Sequence, residues 1–412
     1  MSKLPGHTEK YLRKNSCGYK IENLPENKSR CELRNAVVIP AFGEYSTLPK
    51  TLASLKRALS ASDENTLVLI VVNNPPAEFC DSAKFAENTK TLQWLKDNIH
   101  ASEKISWIDA SSPGYEIPEK GGVGAARKLG MDAVLQFLDW KNEPLIFCLD
   151  SDTLAEENYL TASRNFFCEV RNSAVPAAYT EFSHRSGRTP EEEAAVRYYE
   201  AFMDDYVRHL RSSHSPYAYH AVGSTIICRA EAYVKSGGMR PKRAGEDFYF
   251  LQALRKLSPE GEIIKIAKTA VYPSSRISDR VPFGTGARMK ELVEGDKHAY
   301  FYNPAIFAVL KKILISVNEG NLAKNPDTWY RKLPEDAQYF LDSYNFMSQW
   351  QSILRNTPDI PEKITWAFHV WFDAFRTLKF IHFCELRNPE QYGRIPVSPE
   401  DIQERQKSVT QY

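Results

Sequence analysis

Four short, continuous apolar runs constrain this chain more than any other feature: Ala36-Val37-Val38-Ile39-Pro40, Leu67–Val72, Ile105–Ile108 and Leu145–Leu149. Runs of this length, bounded by polar residues, read as strands buried on both faces. Between them, apolar residues recur at helical spacing. Leu48, Leu52, Leu55 and Leu59 follow the cap candidates Ser46 and Thr47, with Pro49 in the first turn. A second helix is expected over 92–99 and a third over 124–138, where Leu129, Ala133 and Phe137 share a face. Strands alternating with helices imply parallel βαβ units and an α/β sheet covered on both faces. Ligands of such sheets bind beyond the carboxyl ends of the strands. The segments Ala41-Phe42-Gly43-Glu44, Asn73-Asn74-Pro75-Pro76, Asp109-Ala110 and Asp150-Ser151-Asp152 are therefore expected around one crevice.

Composition narrows the class. Of 412 residues, 42% are hydrophobic and 25% charged, which is ordinary for a globular protein. Lys and Arg number 53 against 52 Asp and Glu, a net charge of +1, so no basic excess marks a nucleic-acid binder. The longest aliphatic run, Leu67–Val72, falls far short of the ~20 residues that span a bilayer. The polar start does not read as a secretory signal. Seven cysteines without C-x-x-C pairs read as reduced thiols in a cytoplasmic protein.

Residues 1–34 lack periodicity and are read as a polar surface leader. A domain over 35–289 follows, with halves 35–152 and 153–289. In the second half a helix is expected over 191–211 and strands over 224–228 and 262–271. From 290 to 412 the pattern is helical and rich in aromatic residues. Its most apolar stretch, Ile364–Phe372, reads as buried helix, with a peripheral membrane contact at the inner face or a homodimer interface as the other uses of this region.

Several segments carry chemistry. Asp150-Ser151-Asp152 places two carboxylates at a strand end, where they can hold a hard divalent cation or simply form a solvated turn. Gly121-Gly122-Val123-Gly124 opens a helix, so its backbone can approach a phosphate, with Arg127 one turn in; a plain loop-to-helix turn explains it as well. Gly245-Glu246-Asp247 starts another helix. Its acids are either dipole partners or a general base, for an exposed Asp is ionised at neutral pH. Arg276, Arg280 and Arg288, spaced by glycines, suit a diphosphate or pair with nearby carboxylates. His220, before Gly223 and Ser224, is a candidate on the acceptor side or a satisfied core histidine.

In order, these segments resemble family 2 glycosyltransferases of the GT-A fold, over roughly 36–272. Val37-Val38-Ile39-Pro40-Ala41-Phe42-Gly43-Glu44 resembles the opening strand and P-x-[YF]-N-E turn of that family, whose acidic residue touches the nucleoside. Gly124-Ala125-Ala126-Arg127-Lys128-Leu129-Gly130 is similar to its G-x-x-x-A-R-N-x-G helix start. Asp150-Ser151-Asp152 matches its D-x-D, and Glu246-Asp247 its E-D pair, of which the Asp is the usual base.

The resemblance implies a non-processive, inverting enzyme that moves a sugar from a nucleoside diphosphate sugar to a hydroxyl of a sugar, a lipid-linked or a small-molecule acceptor. It also implies a divalent cation, Mn²⁺ or Mg²⁺, on Asp150 and Asp152. Pro40, Ala41, Phe42, Glu44, Asn73, Asn74, Gly124, Arg127 and Asp150 would line the donor site, and Arg276, Arg280 and Arg288, which are not part of the family's usual pattern, join them from their own chemistry. The E-D match would make Glu246 and Asp247 catalytic, while His220, Gly223 and Ser224 are acceptor-site candidates from the residues themselves, with the metal as the other use of His220. Asn73-Asn74 stands where the family commonly has acidic residues contacting base and ribose, and the Q-x-x-R-W motif of polymer-making members is absent. A retaining transferase, a sugar nucleotidyltransferase and a non-catalytic nucleotide-sugar binder are the rival expectations.

Overall fold

The computed structural model describes residues 4–15, 18–24, 32–62, 65–100, 103–277, 285–294, 299–398 and 402. They form two compact units, Met1–Ser186 with Ala221–Ala287, and Gly187–His220 with Arg288–Tyr412.

The first unit is built on a nine-stranded sheet. Its strands are β1 (Ile21–Glu22), β2 (Asn35–Ala41), β3 (Thr66–Asn73), β4 (Ile105–Ala110), β5 (Leu145–Cys148), β6 (Leu154–Ala155), β7 (Ala177–Phe182), β8 (Ile226–Arg229) and β9 (Ile263–Tyr272). They lie in the order β1-β4-β3-β2-β5-β8-β7-β9-β6. The long pairings are mostly parallel: β2 with β3 and β5, β3 with β4, and β7 with β9. β8 runs antiparallel between β5 and β7. This register brings Ala41 beside Val72, and Asn73 beside Ala110, so the parallel strands end along one edge.

The apolar runs form buried strands because both faces of the sheet are covered. Val37, Ile39, Val68, Ile70 and Val72 pack with Leu48, Leu52 and Leu55 of the helix Leu48–Ser60 and with Leu92 and Leu95 of the helix Ser82–Asn98. On the other face the helix Gly122–Val134 sets Gly130 against Val38 and Val71. Each fully buried aliphatic side chain of this kind contributes roughly 1.5–3 kcal/mol.

Two expectations about organisation are corrected. The segment read as a surface leader is structured where it is described. Gly6–Asn15 is helical, and Tyr11 donates to Asp132 Oδ1 at 2.8 Å. Tyr233 (2.6 Å) and Lys128 (2.6 Å) complete the donors on this buried carboxylate, so its charge is satisfied and the N-terminal helix is tied to the domain. Ile21–Glu22 adds an edge strand to β4. The expected acceptor half, 153–289, is also divided, because 187–220 belongs to the second unit.

The second unit is helical. Pro190–Ser212 starts at the cap Thr189 with Glu191, Glu192 and Glu193 in its first turn. The helices Pro304–Asn318, Glu335–Ser343, Phe346–Arg355, Pro361–Trp371 and Ala374–Arg387 share a core that includes Trp329, Phe340, Phe346, Trp350, Phe368, Phe372 and Phe380. The stretch Ile364–Phe372 contributes Phe368, stacked on Phe372 at 5.5 Å, to that core. Among the described residues no helix is long and apolar enough to cross a membrane.

Candidate functional site

At the exits of the parallel strands, one side chain that the sequence reading missed holds two ends in place. Asn88, buried on the helix Ser82–Asn98, accepts from the Gly43 N–H at 2.9 Å. Its amide nitrogen donates to the Asn73 carbonyl and to Asn74 Oδ1, both at 2.9 Å. A signal was present: Asn88 heads the buried stripe Thr91, Leu92 and Leu95, where an apolar residue would be the ordinary choice. Asn74 also donates from its amide nitrogen to the Pro75 carbonyl at 2.9 Å, which ties its side chain to the loop. Asn73 Oδ1, by contrast, is buried without a hydrogen-bond partner among the described residues. Pro40 and Ala41 lie buried within β2, which leaves Phe42 and Glu44 at its exit. Asp109 is consumed locally, accepting from the backbone and hydroxyl of both Ser111 and Ser112.

Two arginines organise the acidic residues. Arg127, 3% exposed, forks between Asp150 and Glu246, one guanidinium nitrogen on each. Arg276 bridges Glu44 and Asp152, with Asp152 Oδ2 at 2.9 Å. Asp150 acts electrostatically on both guanidinium groups, so the D-x-D segment joins the two clusters. Arg185 adds a hydrogen bond to the Asp152 carbonyl at 2.8 Å. Each of these contacts is a charge-assisted hydrogen bond, stronger than a neutral one, and the Arg127 and Arg276 guanidinium groups each link two carboxylates. The Arg127 pairs depend on Gly223: a Cβ there would sit 2.6 Å from both terminal nitrogens of Arg127.

Arg127 was expected to reach a ligand, and the structure corrects this. Its guanidinium is enclosed by protein and holds the carboxylates in position. Gly124 is corrected too, because its N–H donates to the Lys242 carbonyl at 3.2 Å and is not free for a phosphate.

Glu246 opens the helix Glu246–Arg255 and is 5% exposed. Burial, with Asp247 and Asp150 adding to it, outweighs Arg127 and pushes the Glu246 carboxyl up to about 7. Asp247 is partly buried and not exposed as expected; burial raises its carboxyl, Asp150 adds to this, and Arg127 together with the Phe248 N–H (2.7 Å) opposes it. A carboxyl raised in the folded state stabilises the fold below its ordinary value and loses that contribution as pH rises through the folded one. In metal-free protein the Glu246 contribution is thus expected whole below about pH 4.5 and gone above about pH 7. Melting temperature should therefore fall across this window in the parent and fall less in Glu246→Gln. Parallel curves would show that Glu246 does not titrate there.

The carboxylates Glu44, Asp150, Asp152, Glu246 and Asp247 outnumber the guanidinium groups of Arg127 and Arg276, so the cluster carries negative charge. Arg127 takes Oδ1 of Asp150, whose side chain is 36% exposed. An accessible pair of hard oxygen donors fits a Mg²⁺-like cation, which typically takes one or two carboxylates and completes its shell with phosphate oxygens and water. Among the described residues no group of three metal-ligating side chains gathers, so these residues would share a cation with a ligand and not enclose it.

The remaining candidates fall elsewhere. Ser224 is buried beside Gly223, its hydroxyl without a hydrogen-bond partner among the described residues. His220 belongs to the second unit, where Nε2 pairs with Asp204 at 2.8 Å. Arg288 also belongs there, held by Glu291 (2.8 Å) and lying over the Tyr198 and Tyr300 rings, so its charge is occupied within that unit. Arg280 lies outside the described residues.

No family model matches the chain, and no curated protein does either. Similar solved structures include Staphylococcus aureus TarS 1-349 in complex with UDP-GlcNAc, at 12% identity and a TM-score of 0.41 over 84% of this chain and 92% of that one. The mannosyltransferase PcManGT from Pyrobaculum calidifontis, in complex with GDP-Man and Mn²⁺, is 12% identical with a TM-score of 0.36, covering 89% of this chain and 94% of that one. Glucosyl-3-phosphoglycerate synthase from Mycobacterium tuberculosis, in complex with Mg²⁺ and UDP, is 13% identical with a TM-score of 0.35, covering 74% and 90%. Likeness this loose carries no function across; that has to come from the side chains at the strand ends.

Proposed function

We propose that this chain is a GT-A glycosyltransferase that moves a sugar from a nucleoside diphosphate sugar to an acceptor hydroxyl with inversion. The observation that carries the proposal is Asp150, at the end of β5, acting on two arginines that hold Glu44 and Asp152 on one side and Glu246 beside Asp247 on the other. Carboxylates this close repel one another, and a fold tolerates them where a cationic ligand or a proton is to be handled.

The roles follow from position. Asp247 takes the acceptor proton as the acceptor oxygen forms its bond to the anomeric carbon. On the opposite face the bond from that carbon to the diphosphate oxygen breaks, and the nucleoside diphosphate leaves with the electron pair. Burial raises the Asp247 carboxyl, which makes it a better proton acceptor than an exposed aspartate. Arg127 keeps Asp150 and the start of the Glu246–Arg255 helix in fixed relation. Asn73 Oδ1, buried and without a partner among the described residues, offers an acceptor to the donor nucleoside. Asp150 and Asp152 would hold a divalent cation, which when bound neutralises charge developing on the leaving diphosphate.

The test is release of nucleoside diphosphate from a panel of nucleotide sugars, with and without Mn²⁺ or a chelator, and the anomeric configuration of the product by NMR. Chelation is expected to reduce release at least about ten-fold. A retained configuration would remove the inverting assignment, and turnover indifferent to chelator would remove the cation from Asp150 and Asp152.

A further inference from the structure

The basic segment Arg240-Pro241-Lys242-Arg243 runs directly into Glu246-Asp247, and the roles assigned so far leave it unused. It is a built feature. The Gly124 N–H donates to the Lys242 carbonyl at 3.2 Å. A Cβ on Gly124 would stand 2.7 Å from the Lys242 backbone nitrogen and oxygen, and one on Gly122 would stand 2.6 Å from Arg243 Cα. The glycines expected to cradle a phosphate therefore let this loop lie flat on the start of the helix that carries Arg127. The loop is fixed against the start of the Arg127 helix and leads through Ala244 and Gly245 into the helix that Glu246 and Asp247 open.

Its charges are only lightly engaged by the fold. Arg243 is 3.6 Å from Glu119 with 59% of its side chain exposed, a pair of the kind that contributes little. Lys242 lies 3.5 Å above the Tyr249 ring, two residues beyond Asp247, which steers its ammonium toward the same helix end. Arg240 is exposed and has no ion-pair partner among the described residues. Cations held on a pinned backbone a few residues before Asp247 have an electrostatic use. A negatively charged acceptor would be repelled by the carboxylate cluster and by the donor diphosphate, and these side chains offset that repulsion.

We propose that Arg240, Lys242 and Arg243 form an anion subsite for the acceptor, and that the acceptor is a hydroxyl compound bearing a phosphate. Arginine forks match phosphate oxygens in geometry as well as charge. The inference rests on the transferase assignment above. The same chemistry is offered by a free phosphomonoester and by a phosphodiester, and the two are separable by experiment.

Transfer from the preferred nucleotide sugar is measured with matched acceptors: glycerol against glycerol 3-phosphate, glucose against glucose 6-phosphate, and glycerophosphoglycerol as the diester. Full-length protein is compared with Arg240→Gln/Lys242→Gln/Arg243→Gln, after melting curves show both folded. The phosphorylated member of a pair is expected to have a kcat/KM at least about ten-fold higher, and the preference should collapse in the variant and at high salt. A higher value for the diester than for the monoesters assigns the subsite to phosphodiesters, and the reverse assigns it to monoesters. Equal use of neutral and phosphorylated acceptors, or a preference unchanged in the variant, overturns the subsite while nucleotide-sugar turnover, including hydrolysis by water, leaves the transferase assignment standing. Absence of any nucleotide-sugar binding or turnover overturns both.

Discussion

Replacing Arg127 by Met is expected to lower the unfolding free energy by about 3–5 kcal/mol, because it leaves the buried Glu246 without its partner while removing the cation that Asp150 also uses. Arg127→Lys should recover only part of this, since an ammonium is a point charge and cannot fork between two carboxylates. Gly223→Ala should act on the same pair from the other side, because its Cβ would stand 2.6 Å from the guanidinium nitrogens. Combined with Arg127→Met it should cost little more, because the two changes share one interaction. Denaturant unfolding in chelator gives the values. A loss under about 1 kcal/mol for Arg127→Met would mean that the carboxylates find other partners, and Arg127 would no longer count as the residue that organises the site.

Asp247→Asn should lower transfer by about 10²–10⁴-fold while the affinity for nucleotide sugar stays close to that of the parent. The amide keeps the size of the side chain and can still accept the Phe248 N–H, seen at 2.7 Å, so the helix start should persist. What it cannot do is take a proton. Titration calorimetry with the donor and a rate assay on the same preparation separate the two readouts. Near-normal turnover would falsify the role given to Asp247, and loss of donor affinity together with rate would place it in the donor site. Glu246→Gln serves as a control: Glu246 is enclosed with Arg127, so its change should appear first in stability.

Much of the fold was legible in the sequence because it depends on local pattern. The runs at Val37, Leu67, Ile105 and Leu145 became strands, since a stretch apolar on both faces is satisfied only inside a covered sheet. The strands at 226–229 and 263–272 lie close to where they were expected. β7 was missed: Ala-Ala-Tyr-Thr-Glu-Phe is neither long nor strongly apolar, and it is held by β8 and β9, which come from far along the chain. The N-terminal helix was missed for a related reason. Its polar composition shows no periodicity worth reading, and its place is decided by one tyrosine reaching Asp132, more than a hundred residues away.

The candidate site divides along the same line. By itself the sequence determined which residue types stand at the strand ends, because a strand's end follows from where its apolar run stops. Glu44, Asn73 and Asp150 were placed in this way. Only the tertiary structure decided what each one touches. Arg127 and Gly124 read as ligand-facing in a linear motif, yet one is enclosed by Glu246 from 119 residues away and the other donates to Lys242. Asn88 and Gly223 matter through contacts that no spacing reveals. Strand ends are set by hydration of the neighbouring residues, whereas charge pairing and pKa depend on distance and burial in three dimensions, which a sequence does not contain until it is folded.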